Sequence, residues 1–587
     1  MLSHGKPRVA NPMKAQQNSS PWTLNLRWAR DAPTTLDEMS ASLALVPRPL
    51  GVKLGRNGTT GCLFSDGLVI SYVPELVQEA RWFQHVLETG TRWIVHLAPY
   101  GSAPDAAIEL SLVNQIELPR DVESAVQDRT RDAAYRLTSF GGRVVITSPG
   151  AEGTFYALQT LRQLLPDATF RKAGWTESIS IPELEIVDAP RLAWRGVLLD
   201  VARHFMPKAF VLELIDLLAL HKCNLLQLHL TDDQGWRFAV DAYPRLTEVG
   251  AWRRESPASA TGADADGSIH GGFYTRQDLD EIVAYAGERH VQVLPEIDMP
   301  GHMQAAIAAY PALGNSREHL SVRNTWGVSS HVLNLEEDTL GFCTDVLDEV
   351  VRLFPAPYVH VGGDECPTTE WTRHPRAQEI MREERYTDEA QLQGWFTARI
   401  GEHLARRHRR LVAWDDVLES GAPPDTILMA WQDEARGVAA VAAGHDVVMV
   451  PQEWLYFDRP ESTDPNEPVG FPGVTTLEKV YLYDPVPVGI PAADRHRVLG
   501  AQCQLWTEYV TTPSEAEYRY FPRLCAFAET AWTFESPERP KSYKEFEARL
   551  GPHLARLTAM GVNFRPLEGP DPELARSWSE PSTHRST

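Results

Sequence analysis

Tyr358-Val-His-Val-Gly-Gly-Asp-Glu-Cys-Pro367 is a short apolar run that ends in two glycines and then two adjacent carboxylates, Asp364 and Glu365. The run has the length of a strand, and the glycines permit tight backbone at its exit, so it reads as a buried strand presenting a carboxylate pair at its mouth. Seven runs of the same kind recur between residues 194 and 506: Gly196-Val-Leu-Leu-Asp-Val201, Leu225-Leu-Gln-Leu-His-Leu230, Val291-Gln-Val-Leu-Pro-Glu-Ile297, Leu411-Val-Ala-Trp414, Thr426-Ile-Leu-Met-Ala-Trp431, Asp446-Val-Val-Met-Val450 and Ala501-Gln-Cys-Gln-Leu-Trp506. Amphipathic stretches at 207–221, 275–288, 341–353, 388–409 and 514–532 separate them, the first with proline in its opening turn. Eight strand-and-helix repeats predict an α/β chain with a (β/α)8 TIM barrel. A doubly wound open sheet also alternates strand and helix, but it needs no eighth strand.

Barrels of this kind carry their chemistry at the C-terminal ends of the strands. Here the run ends are polar or aromatic: Asp200 and Arg203–His204, Thr231–Asp233, Glu296–Asp298 and His302, Asp364–Glu365, Trp414–Asp416, Trp431–Asp433, Glu453–Asp458 and Trp506–Glu508. Core packing does not account for such enrichment at one edge of every strand. Segments 253–272 and 457–495, rich in Ser, Gly, Pro and Asp, follow the second and seventh runs and are expected to wall a pocket on that face.

Ahead of the barrel, Trp93-Ile-Val-His-Leu97, Ala107-Ile-Glu-Leu-Ser-Leu112, Tyr135-Arg-Leu-Thr-Ser139 and Arg143-Val-Val-Ile-Thr-Ser148 alternate like strands, and 151–165 has a helical apolar face. They predict a smaller α+β domain, with Ser178-Ile-Ser-Ile-Pro182 and Asp188-Ala-Pro-Arg191 as the hand-over. The expected division is a disordered segment at 1–22, an α+β domain at 23–190, the barrel at 191–548, and a C-terminal helix with a polar tail at 549–587.

The 587 residues carry 56 Lys and Arg against 79 Asp and Glu, a formal charge of -23, which disfavours nucleic acid or an anionic membrane as partner. The six cysteines, at 62, 223, 343, 366, 503 and 525, form no close pair and no Cys-x-x-Cys. They predict reduced thiols rather than a zinc module or disulfide framework. With no apolar stretch of signal-peptide or membrane-spanning length, a cytoplasmic protein is expected. Seventeen Trp residues suit the apolar faces of sugars, though core tryptophans explain most such counts.

Adjacent carboxylates are poorly placed to straddle a glycosidic bond as the usual acid and nucleophile do, and they better suit substrate-assisted hydrolysis, in which a 2-acetamido group is the nucleophile. His360-Val-Gly-Gly-Asp-Glu365, with Leu199-Asp-Val-Ala-Arg-His-Phe205, His229-Leu-Thr-Asp-Asp-Gln-Gly-Trp236, Pro295-Glu-Ile-Asp-Met-Pro-Gly-His302 and Leu505-Trp-Thr-Glu508, resembles the family 20 glycoside hydrolases, the β-N-acetylhexosaminidases. The resemblance implies exo-hydrolysis of terminal β-linked N-acetylglucosamine or N-acetylgalactosamine with retention, no cofactor, and an oligosaccharide substrate. It implies Glu365 as general acid and base and Asp364 as acceptor of the acetamido N–H. Tyr456 would aim the acetamido oxygen, Trp395, Trp414 and Trp506 would enclose the sugar, and Arg203, Asp458 and Glu508 would bind hydroxyls. Asp232, Asp298 and His302 would support the acid from behind.

Two positions depart from the family pattern. Segment 461–480 has no tryptophan, leaving Phe471 as the candidate wall, and Asp416 stands where Glu is frequent. Cys366, next to the acid, is a candidate reactive thiol. Two other readings stay open from the residues: a sugar-binding barrel without catalysis, and a metallohydrolase using His360, Asp364 and His302.

Overall fold

The computed structural model describes residues 43–570 apart from 56–58, 120–121, 123–127, 173, 258–264, 317 and 537–538, so the segment expected to be disordered at 1–22 lies outside the described residues. The first domain is built on a mixed seven-stranded sheet. Its strands are β1 (Gly51–Leu54), β3 (Val69–Tyr72), β4 (His96–Pro99), β5 (Ile108–Leu112), β6 (Tyr135–Phe140), β7 (Arg143–Ser148) and β9 (Leu184–Asp188), in the order β1-β9-β6-β7-β5-β3-β4. β2 (Thr60–Phe64) and β8 (Ile179–Pro182) form a separate antiparallel pair. Helices α1 (Val77–Gly90) and α2 (Ala151–Gln163) cover the sheet, with Phe83, Phe155 and Leu158 fully buried. The expected hand-over at 178–191 is therefore largely strand: Ile179 and Ile181 of β8 and Leu184 and Ile186 of β9 alternate into the core.

The eight predicted runs all become strands: β10 (Trp194–Asp200), β11 (Leu225–Asp232), β12 (Gln292–Ile297), β13 (Tyr358–His360), β14 (Arg410–Trp414), β15 (Ile427–Ala430), β16 (Asp446–Met449) and β17 (Val498–Leu505). Every neighbouring pair is parallel, and β10 pairs with both β11 and β17, which closes the sheet into a barrel. Trp194, Leu198, Leu294, Val412, Trp414, Met429 and Val448 fill its interior. Asp200, His229, Glu296 and His360 stand in register on β10 to β13, one polar rung across four strands.

The outer helices include α3 (Lys208–Leu220), α4 (Arg276–Gly287), α5 (Glu337–Leu353), α6 (Ala390–Arg406) and α7 (Glu434–Ala442). The stretch expected as one helix at 514–532 is two, α8 (Pro513–Tyr520) and α9 (Arg523–Trp532), because Pro522 supplies no N–H and breaks the ladder. The expected boundary at 548/549 falls inside a single helix, α10 (Tyr543–Met560). That helix is a brace between domains: Arg549 donates to the Leu45 carbonyl at 2.8 Å, and Arg556 donates to the Ala44 and Gln163 carbonyls at 2.8 and 2.7 Å.

Asp188, at the end of β9, completes the junction. Buried, it accepts from the Tyr135 hydroxyl at 2.7 Å and the Trp532 indole at 3.0 Å, and pairs with Lys222 at 2.9 Å. No helix among the described residues is long and apolar enough to cross a membrane.

Candidate active site

The chain leaves β13 through a turn that only glycine can make. Gly362 and Gly363 have φ of 64° and 89°, and a Cβ on Gly362 would fall 1.7 Å from Asp298 Oδ1. That close approach lets the Gly363 N–H donate to Asp298 Oδ1 at 3.1 Å, while Gln393 of α6 donates to the Gly363 carbonyl at 2.5 Å. Glu365 itself sits at φ 46°, a left-handed conformation uncommon for a residue with a Cβ. The Asp364 side chain is 16% exposed and that of Glu365 42%. Asp364 faces inward, and Glu365 keeps contact with solvent.

His302 stands behind both. Its Nε2 lies 3.6 Å from Asp364 Oδ2 and 3.7 Å from Glu365 Oε2, and its Nδ1 lies 3.2 Å from Asp232 Oδ1. Burial opposes a charge on this ring, but Asp232, Asp298 and Asp364 outweigh it and hold the imidazole well above the usual histidine range. Burial, and then the neighbouring Asp298, push Asp364 well above the usual carboxylate range, with His302 pulling the other way. Burial likewise lifts Asp298 to about 7, against the pull of His302. Asp364 Oδ1 is buried and has no hydrogen-bond partner among the described residues.

An aromatic wall rises from the barrel interior beside this pair. Trp414 and Trp506 have ring centres 5.9 Å apart, Trp506 lies 6.3 Å from Tyr456, and Tyr456 stacks with Trp431 at 6.5 Å and 26°. Each indole is fixed by a carboxylate or a hydroxyl. Trp414 donates to Glu296 at 2.9 Å, Trp431 donates to Asp416 at 2.7 Å, and the Trp506 N–H bonds the Tyr456 hydroxyl, whose pKa burial nonetheless lifts.

The structure corrects one residue of the expected enclosure. Trp395 lies on α6, its ring 5.2 Å from the Arg399 guanidinium, and packs with the outer helix–sheet core rather than with the barrel interior. Trp431 takes its place. The signal was present in the sequence, since Ile427, Met429 and Trp431 share strand parity and the first two line the interior.

Arg203, Asp458 and Glu508 come together at the opposite edge. Arg203 pairs with Asp232 at 2.9 Å and Asp200 at 3.3 Å, and its guanidinium carbon lies 5.1 Å from the centre of the Trp506 ring. Burial opposes its charge, but Asp232, Glu508 and Asp200 raise its pKa further. Burial and then Glu508 lift Asp458 to about 7, and its Oδ1 has no partner among the described residues. Phe471 reaches this rim, its N–H donating to the Asp458 carbonyl at 3.1 Å and its ring 44% exposed.

Beneath the floor, Glu296 gathers four side chains that the sequence did not single out as a unit. Its carboxylate accepts from Gln227 at 2.8 Å and Trp414 at 2.9 Å, and lies 2.8 Å from His229 Nδ1 and 3.1 Å from His360 Nδ1. His360 is thereby held in this rung, apart from the cluster that Asp364 forms with His302 and Asp298. The expected reactivity of Cys366 is not supported: it is half-buried, and burial pushes its thiol well up, so thiolate is scarce.

A partly buried carboxylate with an open oxygen, a more exposed carboxylate beside it, and an aromatic pocket ringed by hydroxyl-binding groups form a site for a pyranose with a polar substituent. Comparison with known proteins agrees. The glycosyl hydrolase family 20 catalytic domain matches residues 192–535, and the family's domain 2 matches 42–189. The β-N-acetylhexosaminidase of Cellulomonas fimi is 31% identical over 529 residues, which cover 89% of this chain and 96% of that protein. A β-hexosaminidase of Porphyromonas gingivalis is 40% identical over 437 residues, 74% of this chain, and the match spans only 55% of that longer protein. The solved structure of an exo β-N-acetylglucosaminidase from Vibrio harveyi in complex with N-acetylglucosamine superposes with a TM-score of 0.77 at 30% identity, covering 91% of this chain and 80% of that one. The chain belongs to glycosyl hydrolase family 20: it is a glycoside hydrolase, and its relatives are β-N-acetylhexosaminidases.

Proposed function

We propose that the chain is an exo-β-N-acetylhexosaminidase that releases terminal β-linked N-acetylglucosamine or N-acetylgalactosamine, with the substrate's own acetamido oxygen as nucleophile. The observation that carries this reading is the placement of Asp364 and Glu365 on one side, each carboxylate within 4 Å of the same His302 nitrogen. Carboxylates of consecutive residues that share one histidine nitrogen are poorly placed to flank an anomeric carbon, so in this reading the carboxylate nucleophile of an ordinary retaining enzyme is missing and the substrate supplies it.

In this reading the acetamido group enters between Trp414, Trp431 and Trp506. The open Oδ1 of Asp364 takes its N–H, and Tyr456 bonds its carbonyl oxygen, which aims that oxygen at the anomeric carbon. As the oxygen attacks, Glu365 gives its proton to the glycosidic oxygen, the leaving group departs, and positive charge spreads over the oxazolinium ring. That charge favours the anion of Asp364, whose pKa the buried site otherwise raises. Glu365, now a carboxylate, takes a proton from water that attacks the anomeric carbon from the face the leaving group vacated; the bond from that carbon to the acetamido oxygen breaks, the acetamido group is regenerated, and configuration is retained. Arg203, Asp458 and Glu508 hold the ring hydroxyls. Chitin-derived oligosaccharides are the proposed natural substrates, and the six unpaired cysteines favour the cytoplasm as the compartment.

The test is Glu365→Gln. It is expected to lower kcat for N-acetylhexosaminides with poor leaving groups by about 10²- to 10⁴-fold, and to slow an activated aryl glycoside much less. A thiazoline analogue of the oxazolinium should inhibit the parent enzyme tightly. Equal turnover of plain β-glucosides would overturn the reading, because they carry no acetamido nucleophile.

A further inference from the structure

Glu365 stands beside Asp364 at His302, and it also lines a cavity of about 440 Å³ whose walls include Val328, Asp416, Glu419, Gln432 and Arg436. A general acid stands between the sugar it cleaves and the group that leaves, so a cavity lined by Glu365 is where the leaving group goes.

The described lining of this cavity is mostly polar and charged. Among the described residues no aromatic side chain lines it, so a leaving sugar finds no stacking platform there and is held by hydrogen bonds and charge. Arg436 is its one cation among the described lining residues, and that cation is engaged: Nε donates to Asp415 at 2.7 Å and Nη1 to Glu419 at 2.6 Å. Asp416 stands next to them with its Oδ2 fixed by the Trp431 indole, which couples the cavity wall to the aromatic pocket. Around one guanidinium there are thus three carboxylates, and the surplus is acidic. Glu419, with a side chain 74% exposed, presents much of that surplus to whatever enters.

We propose that this cavity selects the leaving sugar by charge: it accepts an ammonium-bearing or neutral sugar and disfavours a carboxylate-bearing one, with Glu419 and Asp416 as the specificity-determining residues. The inference rests on the hexosaminidase reading and deepens it. An ammonium or hydroxyl group donates to the two carboxylates, whereas a uronate meets like charge that the engaged Arg436 cannot offset.

The experiment compares three β-1,4-linked disaccharides with N-acetylglucosamine at the non-reducing end and glucosamine, glucose or glucuronic acid as leaving sugar, using the full-length enzyme. At low ionic strength kcat/KM should fall in that order, the glucuronate being about fivefold or more below glucose, and roughly 0.5 M salt should narrow the gap. Glu419→Gln should narrow it as well. Equal values for the three, a preference for the glucuronate, or an unchanged ratio in Glu419→Gln would overturn the proposal. An aryl N-acetylglucosaminide separates the two levels: if the parent enzyme leaves it intact the hexosaminidase reading itself fails, and if it is cleaved while the three disaccharides are equal only the charge selection fails.

Discussion

Gly362 shows how one residue without a side chain sets the acid pair. The 1.7 Å separation between its missing Cβ and Asp298 Oδ1, together with φ of 64°, means that Gly362→Ala must displace either the turn or Asp298. Expected are a stability loss of about 2–4 kcal/mol by urea denaturation and a fall in kcat larger than any change in KM, because Asp364 and Glu365 ride on that turn. A stable variant with unchanged kcat would refute this. The two glycines and the two carboxylates are legible in the sequence because they are consecutive. Trp395 is not, for the opposite reason: its side of α6 depends on how the helix docks, and spacing along the chain does not report that. Trp431 is readable by strand parity; Asp416 stands out in the sequence at its run end, but its bond to Trp431 is not readable there.

At the scale of elements, the eight barrel strands are announced by short, mainly apolar runs, as expected for strands buried on both faces. The strands β1, β3, β8 and β9 are not, since each is only four or five residues of mixed polarity and is defined by a distant partner, as β1 is by β9. Glu296 is visible in the sequence as a polar run end, but its partners are not, because they depend on the register that sets it level with His229 and His360. It joins β11, β13 and β14 from β12 within the barrel interior. Burial opposes its charge, yet the His229 and His360 rings hold it well below the usual carboxylate range, and Glu296 with Asp232 in turn holds His229 protonated against burial. Glu296→Ala is expected to cost about 3–5 kcal/mol by leaving the His229 charge uncompensated inside the barrel, with Glu296→Gln costing less because it still accepts from Trp414. Thermal and urea denaturation of both variants measure the difference, and equal stabilities would contradict the assignment.

At the scale of the whole molecule, α3, α9 and α10 meet at a buried histidine pair. His221 donates from Nδ1 to the Leu217 carbonyl at 2.7 Å, its Nε2 lies 2.9 Å from His553 Nε2, and Cys525, Arg549 and Arg556 face the pair. Arg556 donates to His553 Nδ1 at 3.3 Å, so His553 carries its proton on Nε2 and gives it to His221: the chain of bonds works only with both rings neutral. Burial lowers His221 to about 4, and burial, His221 and the two arginines lower His553 well below the usual range. The unfolded chain binds protons near pH 6.5, so the stabilisation is complete above that pH and is lost as pH falls from about 6.5 toward about 4. Stability measured from pH 7.5 to 4.5 should drop by a few kcal/mol, because each proton bound only by the unfolded chain costs the fold about 1.4 kcal/mol per pH unit crossed, and His553→Gln should flatten the drop. An unaltered slope in that variant would count against the pair. The closure of the barrel has a further meaning in time. His204 bonds Thr507 across 303 residues of chain, and Arg203 lies beneath Trp506. During synthesis the first strand leaves the ribosome long before the last, and the barrel cannot close until the last is there to pair with the first. The pocket is therefore completed late, and a nascent chain that has not yet emerged through Glu508 holds most of the site's residues without the contacts that close it.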